Sequence, residues 1–123
     1  MREVVFVRRR DAAKLHTLTA CLGLDDSLVF DEGDEYFALG ADPGGEVDDT
    51  LVIRSAHKPG VYRHLEQAFG GFSDTCGEVP DERLFCILQA LADLGHWTSL
   101  DEIETWLSER GIPFTKQRWS KMA

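Results

Sequence analysis

SLVFDEGDEYFALGADPGGEVDDT, residues 27–50, carries the strand and turn signals that decide how this chain is predicted to fold. Two apolar runs, SLVFDE and EYFALG, flank Gly33 and Asp34, a pair that is typical of a short turn between antiparallel strands. We therefore predict a β-hairpin over residues 27–39. The following DPGGEVDD segment is dense in turn-forming residues and predicts a loop, and TLVIRS, residues 50–55, predicts a further strand.

The segments around this hairpin complete a mixed pattern of strands and helices. EVVFVR, residues 3–8, is a β-branched and aromatic run that predicts a strand covered on both faces. DAAKLHTLTACLG, residues 11–23, has leucines at helical spacing between an N-terminal aspartate and a C-terminal glycine, which predicts a first helix. PGVYRHLEQAFGG, residues 59–71, predicts a second helix that ends at two glycines. Residues 1–71 are therefore predicted to follow the order β-α-β-β-β-α.

The remainder of the chain, residues 72–123, is predicted to be mainly helical. GFSDTCGEVP is predicted to be a linker, and PDERLFCILQALADLG, residues 80–95, carries an apolar surface wide enough for a helix buried on more than one side. SLDEIETWLSERGIP, residues 99–113, begins with a capping box, Ser99 followed by Glu102. A basic tail with one tryptophan, predicted to be at most a short strand, ends the chain. The expected fold class is α+β: a small mixed sheet of about four strands followed by two C-terminal helices, in a single domain over residues 1–123.

Charge is the most informative bulk property of the sequence. The 123 residues are 43% hydrophobic, enough for one core, and carry a formal net charge of −9. Ten of the carboxylates fall within residues 25–49, where there is no lysine or arginine. Such a segment is either a well-solvated hairpin or a surface kept negative for a basic partner, because an acidic surface repels nucleic acid phosphates and attracts cationic proteins.

Other classes of protein find little support in the sequence. No apolar run approaches the roughly 18 to 20 residues that span a bilayer, and the N-terminus lacks a secretory apolar region, so a cytoplasmic protein without membrane contact is expected. Three cysteines without CxxC spacing predict buried free thiols. The histidines and carboxylates show no HExxH or EF-hand order, and no serine lies in a GxSxG motif. We therefore predict no enzymatic activity, no catalytic residues, no metal and no cofactor.

One C-terminal stretch resembles a known DNA-binding segment. LDEIETWLSERGIPFTKQRWS, residues 100–120, resembles the helix-turn-helix stretch of large serine recombinases, in which an ERGIP phrase is followed by a basic turn and an RW pair. The matching residues are Ile103, Leu107, Glu109, Arg110, Gly111, Ile112, Pro113, Arg118 and Trp119. The resemblance implies a DNA-reading helix after the tryptophan, yet only four residues follow it, too few for such a helix. It leaves one alternative function, a DNA-associated regulator, which requires a shared basic face formed by Arg8, Arg9, Arg10, Lys116, Arg118 and Lys121.

In size, charge and mixed α/β character the chain is similar to small acidic bacterial toxin-immunity proteins and to phage inhibitors of CRISPR complexes. This resemblance implies an inhibitor that neutralises a basic nucleic-acid-handling protein, such as a toxin or nuclease domain, by occlusion and charge mimicry. Direct nucleic acid binding is not expected, and homodimerisation stays open. The predicted partner-binding residues are Asp31, Glu32, Asp34, Glu35, Tyr36, Asp48, Asp49, Glu102, Trp106 and Glu109. Trp106 is expected to be half-exposed and to act as the aromatic anchor, and the sequence does not rank the hairpin against the acidic residues of the last helix.

Overall fold

The computed structural model of the protein describes residues 3–38, 44–69 and 80–122, and these residues form an antiparallel sheet with helices on one side. The elements in chain order are β1 Glu3–Arg10, β2 Lys14–Leu22, β3 Leu28–Tyr36, β4 Gly45–Ile53, a 3-10 turn Ser55–His57, α1 Lys58–Ala68, α2 Pro80–Asp93, α3 Leu100–Glu109 and β5 Thr115–Met122. The spatial order of the five strands is β1-β2-β3-β4-β5, so β1 and β5 form the two edges. The α+β class is confirmed, whereas the sheet of the described residues has five strands and is antiparallel rather than mixed.

The predicted helix over residues 11–23 is wrong, because most of that segment forms β2. Leu18 and Ala20 are fully buried on one face of the sheet, and β2 is paired along its length with both β1 and β3. The aspartate that resembled a helix cap is used in the β1–β2 turn, where the Asp11 carboxylate accepts hydrogen bonds from the backbone N–H groups of Ala13 and Lys14. A short polar side chain can satisfy the first N–H groups of a turn as well as those of a helix. Because β2 pairs with a strand on each side, the segment forms a strand rather than a helix.

The predicted hairpin over residues 27–39 is also wrong, because β3 runs without a turn from Leu28 to Tyr36. Gly33 lies inside the strand, and a Cβ atom at this position would lie 2.5 Å from Oδ1 of Asp48 on β4. The glycine therefore allows close approach of a neighbouring carboxylate rather than a reversal of the chain. β4 begins at Gly45, within the segment predicted to be a loop. The predicted loop residues 42 and 43 and most of the predicted linker lie outside the described residues.

The hydrophobic core lies between the helices and one face of the sheet, which we call the helix face. The sheet contributes Val4, Leu18, Ala20, Leu28, Phe30, Leu51 and Ile53, all buried. The wide apolar surface predicted for α2 is confirmed, since Leu84, Phe85, Ile87, Leu88 and Leu91 are buried. The C-terminal part is not purely helical, because β5 returns from α3 to pair with β4. None of the described helices is long and apolar enough to cross a membrane.

The start of α3 agrees with the sequence-based prediction, whereas the cysteines agree with it only in part. The predicted N-cap of α3 is confirmed, because the Ser99 hydroxyl accepts a hydrogen bond from the backbone N–H of Glu102 at 3.4 Å. Cys21 is a free thiol, as predicted, but it is partly exposed rather than buried. Cys86 is disulfide-bonded, so the prediction of a free thiol is wrong at this position.

Candidate protein-binding surface

The sheet face opposite the helices, which we call the open face, has no described helix or strand packed against it. Side chains alternate between the two faces of a strand, and cross-strand partners share a face. Since Phe30 and Leu51 lie on the helix face, their strand neighbours Asp31 and Thr50 lie on the open face. The same rule, with the register of the five strands, places these residues on the open face of the three central strands: Leu15, Thr17, Thr19, Cys21, Val29, Asp31, Gly33, Glu35, Glu46, Asp48, Thr50 and Val52.

Four carboxylates gather at one end of this face, and we call them the open-face acidic cluster: Asp31, Glu35, Glu46 and Asp48. Glu35 lies directly opposite Glu46, and Asp48 lies directly opposite Gly33. Within the described part of the chain, no lysine, arginine or histidine forms an ion pair with any of the four. A shallow depression of about 180 Å³ opens beside three of them, and it is lined by Leu15, Thr17, Gly33, Asp34, Glu35, Glu46 and Asp48. Among the side chains that the structure describes, the cluster therefore forms a concave anionic surface without an ion pair, and the strand register places the backbone of Lys121 directly opposite Glu46.

Burial and mutual repulsion raise the pKa values of two members of the cluster. Burial raises the pKa of Asp31, and the negative charge of Asp48 raises this pKa further, while the Thr50 hydroxyl offsets part of the effect. Oδ1 of Asp31 is buried and has no hydrogen-bond partner. Burial likewise raises the pKa of Asp48, with a further contribution from the charge of Glu46. Both shifts show that the folded protein holds these carboxylates where negative charge is unfavourable.

The other predicted acidic residues of β3 lie on the helix face and have partners. Nδ1 of His16 lies 2.8 Å from Oδ1 of Asp34, and the Lys14 ammonium lies 3.5 Å from the same oxygen. Nε2 of His16 lies 3.6 Å from Oε2 of Glu32, and that oxygen accepts a hydrogen bond from the backbone N–H of Leu100 at the start of α3. Asp34 is therefore paired within the sheet, and Glu32 connects the sheet to the start of α3.

Asp49, the acidic residue of β4 on the helix face, pairs with an arginine of β5. The Arg118 guanidinium donates two hydrogen bonds to the carboxylate of Asp49, at 2.7 and 3.0 Å. This contact is the main reason that the pKa of Asp49 is lowered. The neighbouring Lys116 donates a hydrogen bond to Glu104 of α3 at 2.7 Å. Side chains alternate between the two faces of each strand. The acidic segment is therefore divided into the open-face acidic cluster and a set of carboxylates on the helix face that have partners.

The predicted residues on α3 differ in their surroundings. Glu102 accepts a hydrogen bond from the Thr98 hydroxyl at 2.8 Å, and Glu109 lies 3.7 Å from the Arg110 guanidinium. The expectation that Trp106 is half-exposed is wrong, because only 8% of its surface is accessible. Its ring packs edge-on against Trp97 in the core, and the Arg110 guanidinium covers it at 4.2 Å from the ring centre.

Two aromatic side chains beside the acidic residues are accessible. Tyr36, a predicted site residue, is 41% exposed and lies near the Lys14 ammonium, 5.8 Å from the ring centre. Trp119 of β5 is 51% exposed and lies directly opposite Asp48, although it was not among the predicted site residues. Its neighbours Lys116 and Arg118 alternate with it along the strand, and this alternation in KQRWS is the signal that could have placed the indole on the opposite face from the two cations.

The shared basic face that a DNA-associated regulator requires is not found among the described side chains. Arg8 and Arg10 lie on the open face of the edge strand β1 and Arg9 lies on the helix face, whereas Lys116 and Arg118 lie on β5 at the other edge and pair with acidic residues. Arg118 and Trp119 belong to a strand, so the described chain after α3 continues as β5 rather than as a helix. The side chain of Lys121 lies outside the described residues.

The open-face acidic cluster is thus the most distinct surface of the described chain. Its carboxylates do not form a cation cage, since no group of three or more His, Cys, Asp or Glu side chains in residues 3–38, 44–69 and 80–122 is arranged to hold a metal ion. An anionic surface of this kind can attract and orient a cationic protein. No family model, no curated protein and no solved structure matches this chain.

Proposed function

We propose that the chain is an acidic inhibitor that binds a basic nucleic-acid-handling protein, such as a toxin or nuclease domain, and occupies the surface that would contact phosphates. The observation that carries this proposal is the unpaired state of the open-face acidic cluster. In contrast, Glu32, Asp34 and Asp49 on the helix face have partners within the chain. Among the described side chains of the strands, the carboxylates without an ion pair lie on the uncovered side of the sheet.

The energetics of the sheet support a partner for this surface. Like charges directly opposite each other on neighbouring strands are destabilising, and Glu35 and Glu46 form such a pair. Burial of Asp31 and Asp48 adds to the cost, as their raised pKa values indicate. A cationic partner would offset both penalties, since a nearby positive charge favours the ionised carboxylate. The net charge of −9 would also accelerate association with such a partner.

A competition experiment tests this function. The chain is mixed with a basic toxin or nuclease domain encoded beside its gene, and release of a labelled nucleic acid from that domain is followed at low and at physiological salt. We expect stoichiometric release and loss of nuclease activity. The chain alone is not expected to shift random duplex DNA at low salt, whereas a regulator would retain non-specific affinity. Binding of the DNA by the chain, or a stable ternary complex, would contradict the proposal.

The proposal places the inhibitor in the cytoplasm, where its target would be made. Disulfides are rare in that compartment because its thiols are kept reduced. A thiol count on protein trapped by alkylation inside cells therefore tests the location. Three free thiols, the total number of cysteines in the sequence, agree with the cytoplasm. Retention of the Cys86 disulfide would argue for an oxidising compartment.

A further inference from the structure

Trp119 differs from the other tryptophans of the chain in its surroundings. Trp97 and Trp106 are 3% and 8% exposed and pack in the core, whereas Trp119 is 51% exposed on the edge strand β5. Lys116 and Arg118, which precede it along the strand, lie on the helix face and pair with carboxylates there. The indole therefore lies on the open face, with one flank at the free edge of the sheet.

An unpaired carboxylate lies beside this indole. Asp48 is the direct cross-strand partner of Trp119, which places their Cβ atoms about 5 Å apart. On the other side, Asp48 faces Gly33, where a Cβ atom would lie 2.5 Å from Oδ1. The absence of a side chain at Gly33 thus lets the carboxylate lie over β3, in the depression, on the side of β4 opposite to the indole. Among the described residues, no cation contacts Asp48.

We propose that Trp119 is the aromatic anchor of the open face and that it receives an arginine of the cationic partner, with the guanidinium on the indole and hydrogen-bonded to Asp48. This inference rests on the proposed function and names the side chain that the partner presents. A guanidinium is planar, so it can stack on an aromatic ring and bind a carboxylate through two N–H groups at once. A lysine ammonium is a compact, strongly hydrated charge and gains less from this pairing.

Synthetic peptides of equal length and charge provide the test. Nonaarginine and nonalysine are titrated into the full chain at low salt, and their dissociation constants are measured by calorimetry. Cation–π stacking predicts that nonaarginine binds about tenfold more tightly than nonalysine. Trp119→Leu is expected to abolish this preference, and Trp119→Phe to keep part of it. Tyr36→Leu is the matched control, because Tyr36 is an exposed aromatic residue on the other face, and it should leave the preference unchanged. Circular dichroism verifies that each variant is folded.

The outcomes separate this inference from the proposed function. Equal affinity for the two peptides would overturn the role of Trp119 while leaving an acidic surface that binds cations. A preference for arginine that survives Trp119→Leu would place the arginine elsewhere and would also overturn the inference. Absence of binding by either peptide at low salt would contradict both this inference and the open face as a cation-binding surface.

Discussion

Gly33 lies in the middle of β3, where any side chain would meet the carboxylate of Asp48. A Cβ atom would lie 2.5 Å from Oδ1 of Asp48 and 3.3 Å from Oγ1 of Thr17. In the sequence, Gly33 followed by Asp34 resembles a turn, because the reason for the glycine lies on another strand, 15 residues along the chain. The requirement for glycine at position 33 therefore comes from the contact with Asp48, which the neighbouring sequence does not reveal.

A double-mutant cycle tests this role of Gly33. Replacing a strand glycine by alanine ordinarily stabilises a protein by roughly 0.5–1 kcal/mol, because glycine loses more conformational freedom on folding. We expect Gly33→Ala to give this gain in an Asp48→Ala background, where the obstructing carboxylate is absent, and to give less or none in the native background. Urea denaturation of the four proteins measures the coupling. Identical effects in the two backgrounds would show that the contact has no energetic weight.

Ionisation of Asp31 is expected to destabilise the folded protein. Because its pKa is raised in the folded protein, the folded state binds more protons than the unfolded state between the ordinary value of 3.8 and the raised value. Stability therefore falls as pH rises through this window. We expect Asp31→Asn to have a higher melting temperature than the native chain at pH 7, and the difference to disappear near pH 3.

Asp49 supplies the opposite control for this pH dependence. Its pKa is lowered by the hydrogen bonds from Arg118, so its contribution to stability is present above the ordinary carboxyl value and is lost as pH falls. Asp49→Asn should therefore lower the melting temperature at pH 7. If both variants shift the melting temperature in the same direction at pH 7, the assignment of unpaired and paired carboxylates to the two faces is wrong.

Among the elements, α2 and α3 could be predicted from the sequence, whereas β2 could not. The helices begin with local signals, Pro80 and the Ser99 cap, and their apolar residues meet the core at helical spacing. In β2 the same kind of spacing, with Leu15 and Leu18 three residues apart, is overridden by pairing with β1 and β3. Strand formation depends on partners that are distant in sequence, so tertiary context decides such a segment.

The N-cap of α3 is expected to contribute to the free energy of unfolding. The Ser99 hydroxyl accepts the hydrogen bond from the Glu102 N–H, one of the first backbone donors of the helix. Loss of such a cap typically costs about 1 kcal/mol. We expect Ser99→Ala to lower the free energy of unfolding by about this amount, measured by urea denaturation. Ser108→Ala, on an exposed position of the same helix, is the control and should have little effect. Equal losses in both variants would contradict a specific role of the cap.

For the whole molecule, the arrangement of charge matters more than its total. The sequence shows a block of carboxylates, but the strand register divides the block between two faces, and among the described side chains the carboxylates of the block on the open face form no ion pair. Composition and spacing could therefore predict an acidic surface, though not which residues form it. Glu46 and Trp119 join that surface only because β4 and β5 bring them beside Asp48 and Glu35.

The most direct test of this account compares two charge reversals of equal size by their association kinetics with the basic partner. Glu35→Lys with Glu46→Lys changes the open face, and Asp93→Lys with Glu109→Lys makes the same change in net charge at the ends of α2 and α3. Charge complementarity at an interface acts mainly on the association rate, so we expect the open-face variant to associate about tenfold or more slowly than the control, with a weaker dependence on salt. Equal association rates for the two variants would contradict the open face as the binding surface.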